Sequence, residues 1–328
     1  MEAAMARFLE QLELGDPQEY LNMAVFPIFA SGNHSPEYLT LKEALDKRLL
    51  SVTEVSTGGR VPELMAINTA DIPILLVDGE ELSGAKQNRV LNTTILLKEH
   101  SETVIPVSCT EQGRWSYRSP EFSESGNILS KNIRWKKARK VHENLKTDCT
   151  FRSDQGEVWD DIAAMSHDAG VNSSTGAMND VFHSKEEDLD EYLKAFPLVP
   201  GQRGLLVFVN GKVSGFDVVS LGSAYGALHQ KLVKSYAMDA YLDARKGKAS
   251  PAISMGQAKI FLQDALSCTE EKYQSLGHGW DYRYEGRSIV GSTLIHREMV
   301  IHAAFFGTTE SGKVGNMAGS RQRRGHRV

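Results

Sequence analysis

Only three cysteines occur in 328 residues, Cys109, Cys149 and Cys268, and no two form a C-x-x-C pair. So sparse and odd a set supports neither a disulfide framework nor a zinc ribbon. The fold must then be held by its core, which a chain of this length can bury. Missing too is any run approaching the roughly 20 apolar residues of a membrane span. Residues 1–20 carry Phe8, Leu9 and Leu12 but are broken by Glu2, Glu10 and Glu13, which reads as a short amphipathic helix rather than a secretion leader. The expectation is a soluble, reduced, cytoplasmic protein without a membrane partner. Positive charge is also in short supply: 37 Lys and Arg face 42 Asp and Glu, a formal net charge of −5. That balance argues against a nucleic-acid partner held by bulk electrostatics.

The familiar ligand motifs are lacking as well. Neither a G-x-x-x-x-G-K-[ST] loop nor a strand-anchored G-x-G-x-x-G is found, and no H-E-x-x-H occurs. His167 and His183 are far apart, while His296 and His302 fall in a strand-like region, so no metal site is supported by spacing. The cofactor stays unspecified, and a divalent ion held by carboxylates and a substrate phosphate is left open.

What is present alternates between two periods. The apolar run at 24–30 reads as a strand, and Leu41, Ala44 and Leu49 stand near helical spacing. Runs at 72–77, 90–97 and 104–109 are rich in Ile, Val and Leu and predict strands, with Asp78-Gly79 as a hairpin turn and an antiparallel return from Glu80. Helices follow at 131–146, from Asp154 with Glu157 as a capping pair, and at 186–195. A second hairpin turns at Asn210-Gly211. Helices at 228–244 and 257–266 and short strands at 282–284, 288–295 and 299–306 close the pattern. The class is α+β: a mixed, mostly antiparallel sheet core with packed helices. We divide the chain into an N-terminal helical segment at 1–19, one large domain at 20–307 that admits two intimately packed lobes, and a flexible tail at 308–328 with too little apolar content to order itself.

Function-capable groups concentrate between Asp78 and Trp115. Glu80, Glu81, Lys86, Gln87, Asn88, Arg89 and Asn92 lie between apolar runs where a plain connection needs only a few turn formers. Lys86 and Arg89 suit an anion, one as a mobile charge and one as a two-point fork, and the amides can orient it. The bland alternative is a set of solvated charges on a sheet edge. A second stretch, Glu111-Gln112-Gly113-Arg114-Trp115, sets a cation beside an aromatic face, as a phosphate and a base would require. Glu81 and Glu111 are the acid–base candidates and Arg114 the group to stabilise developing negative charge; a salt bridge from Glu111 to Arg114 is the competing reading. Cys109 is read as an inert buried thiol. Asp154 and Gln155 stand at a helix start that favours anions, although capping alone explains Asp154. The basic cluster Arg134 to Lys140 is read as a solvated helix face, and the stretch 172–180 as an ordinary connection.

Three runs together resemble one family. Asp78-Gly79-Glu80-Glu81-Leu82 with Gly84-Ala85-Lys86-Gln87-Asn88-Arg89, Ile105 to Trp115, and Ser153-Asp154-Gln155-Gly156 are similar to the family named for its association with ADP-ribosylglycohydrolases and rhodanese-phosphatases. The likeness extends through Ser235 to Ala240 and covers most of 20–306, while 221–230 departs from the Glu-Thr and Trp pattern of members. The resemblance implies a link to NAD-derived or ADP-ribose-like metabolites. It leads to the expectation of a protein that binds, and hydrolyses, a phosphorylated nucleotide-derived small molecule, or else senses one without turnover or serves as a protein-interaction module. The protein partner is unspecified.

Overall fold

A computed structural model describes residues 1–30, 36–56, 61–244 and 253–308. Eight helices and 18 strands are formed among them, so the α+β expectation holds. Strands at Met23–Ala30, Gly204–Val209, Lys212–Val219, Met299–Gly307, Ile289–His296, Trp280–Glu285 and Thr269–Gln274 follow one another, all antiparallel, in a nine-stranded sheet. Its remaining strands, Leu12–Leu14 and Gln18–Tyr20, both pair with Met23–Ala30. The first twenty residues thus hold the helix Ala3–Glu10 and two strands of this sheet. The predicted tail lies outside the described residues except at its start.

Both faces of this sheet are buried, which is why its inner strands are apolar almost without a break. Val25, Leu205, Val207 and Val219 face a core closed by the helix Gly222–Ala244 and its neighbours. The alternate residues Phe26, Leu206, Phe208 and Val218 face the helices Ala3–Glu10 and Met255–Leu266. The Asn210-Gly211 hairpin forms as predicted: both residues take positive φ, 50° and 70°, and the flanking strands pair from Val209↔Lys212 outward.

The other strands build a six-stranded sheet, in the order Phe122–Ile128, Glu80–Gly84, Arg89–Leu91, Ser101–Cys109, Glu63–Asn68 and Leu50–Glu54, and a three-stranded sheet of Ile95–Leu97, Ile74–Leu76 and Leu39–Thr40. Together with the helix Leu41–Asp46 they enclose a third core. Here the predicted Asp78-Gly79 hairpin is corrected. Ile74–Leu76 pairs with Ile95–Leu97 and Leu39–Thr40, whereas Glu80–Gly84 pairs with Arg89–Leu91 and Phe122–Ile128. The turn is real, with Glu80 N–H donating to Val77 O at 3.1 Å and Gly79 at φ 85°, but it carries the chain from one sheet to another. The run predicted at 90–97 splits for the same reason, crossing between sheets at Asn92, Thr93 and Thr94.

The basic helix, Lys131–Asp148, also differs from its reading as a solvated face. Arg134 and Lys137 are buried. Arg134 forks onto Asp217 of the nine-stranded sheet, Nη1 to Oδ2 at 3.0 Å and Nη2 to Oδ1 at 2.7 Å, and Tyr236 Oη donates to the same carboxylate at 2.8 Å. Lys137 pairs with Asp78 and donates to the Leu91 and Asn92 carbonyls. Burial opposes a charge on Asp217, yet the Arg134 charge and the His302 and Arg134 hydrogen bonds hold its carboxyl well below the usual range. Replacing Asp217 by Asn strands the Arg134 charge in the core. The expected cost is about 3–5 kcal/mol, read as a lower urea midpoint with an unchanged m-value; an unmoved midpoint contradicts the role assigned to the pair.

Candidate functional site

The strand register decides which of the predicted residues meet. Arg89 opens its strand opposite both Leu82 and Cys109, while Glu81 and Ser108 lie opposite Val90. Paired residues share a face and neighbours in sequence alternate. Arg89 and Cys109 are therefore on one side of the six-stranded sheet and Glu81 on the other, with Asn88, Glu111 and Arg114 just beyond the strand ends.

On Arg89's side the guanidinium is wholly buried, and burial pulls it below its ordinary range. Its Nη1 donates to Gln87 Oε1 at 3.1 Å and to Asn88 O at 3.4 Å, but Nε and Nη2 have no hydrogen-bond partner. Glu54, whose side chain is 3% exposed, stands 3.8 Å away with both carboxylate oxygens equally unpartnered. Trp115 lies over Arg89 at 5.8 Å from ring centroid to guanidinium carbon. Lys86 Nζ is 5.2 Å from the centroid of Trp115 and 5.2 Å from that of Tyr117. These two rings are 48% and 52% exposed, so the lysine is bracketed by aromatic faces that remain half open to solvent. Burial pushes the Cys109 thiol up to about 11, which keeps it protonated and unreactive at neutral pH.

The other cluster is closed on itself. All five N–H bonds of Arg114 are engaged: Nε with Glu111 at 2.8 Å, Nη1 with the Ala85 and Ser116 carbonyls, and Nη2 with Gly84 O and Asn88 Oδ1. Glu111 also accepts from Thr175 Oγ1 at 2.9 Å and Asn88 N at 3.3 Å. Burial opposes its charge, but Arg114 and Thr175 outweigh it and hold the carboxyl below its ordinary value. Gly113 makes the close approach that its lack of a side chain allows, donating to Thr175 O at 2.7 Å, where a Cβ would come within 3.0 Å of Thr175 Cα. Thr175 and the stretch around it, read as a plain connection, are thus the lid of this cluster.

Glu81 is fully buried and accepts from Thr110 Oγ1 at 2.7 Å, while its Oε2 has no partner. Burial, with Glu111 and Asp180 nearby, pushes its carboxyl up to about 7. Glu80 instead turns to the opposite face and binds Lys231 at 2.5 Å and Val77 N at 2.7 Å. Asp154 caps the helix Gln155–Ala169 through Glu157 N at 3.1 Å, and Gln155 clamps the backbone of Cys109, accepting from its N–H at 2.7 Å and donating to its carbonyl at 2.9 Å. That clamp ties Gln155 to the strand bearing the site rather than leaving it open at the helix start. Among the described residues no group of three or more His, Cys, Asp or Glu side chains is placed to hold a metal ion, and no helix is long and apolar enough to cross a membrane. The cavities of about 360, 250, 220 and 200 Å³ lie elsewhere, and none of these takes a wall from Lys86, Arg89, Glu111, Arg114 or Trp115.

Sequence reasoning missed Glu54, Thr110, Thr175, Tyr117 and Lys231. Tyr117 stands two residues beyond Trp115 in the same run and could have been found by extending the aromatic signal. Glu54 and Lys231 come from distant segments and carry no local mark.

Fold and site together define an α+β protein in which buried charge is knit around two strand ends under an open aromatic bracket. The model of the ARG and Rhodanese-Phosphatase-superfamily-associated Protein domain matches residues 11–306, and the chain belongs to that family. No curated protein and no solved structure matches the chain.

Glu81 makes stability depend on pH. Its folded pKa, about 7, is raised above the ordinary 4.5, so folding favours the protonated form. That contribution is complete below the unfolded value, shrinks as pH rises, and is lost above about 7. Glu81→Gln is expected to flatten the fall in melting temperature between pH 5 and pH 8 and to stabilise the protein at pH 8 by roughly 3 kcal/mol. Parallel pH profiles for the two proteins contradict the shift.

Proposed function

We propose that the protein binds a phosphorylated, NAD-derived or ADP-ribose-like small molecule at the Lys86–Arg89–Trp115 face. The observation that carries the reading is the aromatic bracket: two half-exposed rings flank an ammonium, and behind one of them a buried guanidinium keeps two of its nitrogens unpartnered. A base stacks on Trp115 or Tyr117, and the phosphates meet Lys86 and Arg89. Gln87 and Asn88 hold Arg89 and Arg114 in place, and Arg114, with its donors spent, acts through its charge and by fixing Glu111. Glu80 ties the start of its strand to Val77 and Lys231, and Gln155, at the helix that Asp154 caps, clamps the Cys109 backbone. Family membership supports the choice of ligand class, since the family name carries the association with ADP-ribosylglycohydrolases.

The opposite facing of Glu81 and Arg89 favours binding without turnover, as in a sensor. A hydrolytic reading has its own support in Glu81, whose pKa of about 7 and unpartnered oxygen are what a general base needs to activate water. Calorimetry with ADP-ribose tests the site: Trp115→Ala and Lys86→Ala should each weaken binding about tenfold or more, from a stacking contribution of ~1–3 kcal/mol. Equal affinity in both variants removes the assignment. Product release from ADP-ribose by the wild type, abolished in Glu81→Gln with binding retained, selects the hydrolase; a melting-temperature rise without product selects the sensor.

A further inference from the structure

A cavity of about 360 Å³ lies away from the aromatic bracket, between the helix Gly222–Ala244, the residues after the helix Glu186–Ala195, and the edge strand Phe122–Ile128. We infer that it is a binding site for a small organic anion, a phosphate or carboxylate on an apolar ring or chain, with Lys234 as its principal cation.

Three ammonium groups line the cavity, and they are not equivalent. Lys231 is buried and already answered by Glu80 at 2.5 Å and Glu124 at 2.7 Å. Lys42 pairs with Asp46 at 2.7 Å, but both side chains are about half exposed, so the pair is screened and easily parted. Lys234 is half-buried and, among the described residues, donates only to a neutral oxygen, Asn127 Oδ1, at 3.1 Å. Glu124, Glu186 and Asp190 act on it through space, and none is in contact. An ammonium has three donors, and one withdrawn from water without a counter-ion raises the energy of the empty state. An anion in the cavity supplies both the charge and the missing hydrogen bonds.

The opposite wall is apolar. Leu193, Phe196, Pro197 and Leu198 line it, and Leu198 is 45% exposed at the edge. Gly226 and Ala227 keep the helix side shallow; a Cβ on Gly226 would already sit 3.8 Å from Leu198 Cδ2. An ammonium facing an apolar wall selects a guest with a charged head and an apolar body over a bare ion.

Inorganic phosphate and phenyl phosphate are suitable probes for calorimetry on the full chain. Phenyl phosphate is expected to bind at least tenfold tighter than inorganic phosphate, and Lys234→Met to weaken it at least tenfold. Gly226→Leu fills the space from an exposed helical position where leucine is tolerated, so the fold is kept while binding is lost. Trp115→Ala should leave the affinity unchanged, which separates this site from the bracket. Absence of phenyl phosphate binding by the wild type, wild-type affinity in Gly226→Leu or Lys234→Met, or loss of binding in Trp115→Ala each overturns the inference.

Discussion

Two cations of one helix, Arg134 and Lys137, are withdrawn from water, and the arrangement of the three sheets follows from the need to answer them. A buried charge without a partner is among the most costly defects a fold can carry. The three-residue spacing puts both on the same flank of the helix Lys131–Asp148, yet their acids come from different places. Arg134 takes Asp217 from the nine-stranded sheet, and Lys137 takes Asp78 from the turn that joins the other two. The link is closed by neutral groups: Asp78 N–H donates to Thr94 Oγ1, which contacts His302 Nδ1 at 2.9 Å, and His302 Nε2 reaches Asp217 at 3.4 Å. With Thr94 as donor to Nδ1, the proton on Nε2 faces the carboxylate, so one tautomer satisfies the whole chain. Sliding either sheet relative to the helix would break a charged contact, which gives the junction a register that apolar packing alone lacks.

That junction fixes the start of the strand that bears the candidate site. Asp78 is anchored by Lys137, so Glu80 to Gly84 begins at a set height, and the pleat then assigns Glu81 to one face and Glu80 with Leu82 to the other. The consequence for function is direct. Charges that are neighbours in sequence are parted by the sheet, and Arg89 with its bracket of rings is set apart from the carboxylate whose pKa lies near neutrality. The near-neutral carboxylate and the guanidinium under the rings fall on opposite sides of the same strand pair.

The elements whose signals are local were legible. Asn210-Gly211 demands positive φ at two successive residues, and alternating apolar faces account for Met23–Ala30 and Gly204–Val209 in full. Asp78-Gly79 carries much the same local signal and misled, because a turn's chemistry does not say which sheet the next strand joins. The basic helix misled for a related reason: Arg134 and Lys137 look like any solvated cations until Asp217 and Asp78, far away in the chain, are brought to them. In the site, sequence grouped Lys86 to Arg89 with Glu111 to Trp115, and these segments do meet, through Asn88 with Glu111 and Arg114 and through Arg89 with Trp115. What it could not give was the pleat between Glu81 and Arg89, or the closure of Arg114 by backbone carbonyls, since both depend on register.

The balance of satisfied and unsatisfied groups sets Arg89 and Glu54 apart from the other buried ion pairs around them. Arg114, Arg134 and Lys137 each meet a carboxylate in direct contact, and Glu111 is held by four neighbouring residues or more. Arg89 and Glu54 differ: they are buried, opposite in charge and within 4 Å, yet four of their polar atoms make no hydrogen bond. Two such groups would ordinarily close onto each other, because a direct fork regains more than a loose pair in a water-poor setting. Arg89 is held back by Gln87 Oε1 and the Asn88 carbonyl on one side and by the Trp115 ring on the other. A guanidinium restrained in this way keeps its remaining donors from collapsing onto the nearest acid, so a loose pair of opposite charges persists in the core where a fork would ordinarily form.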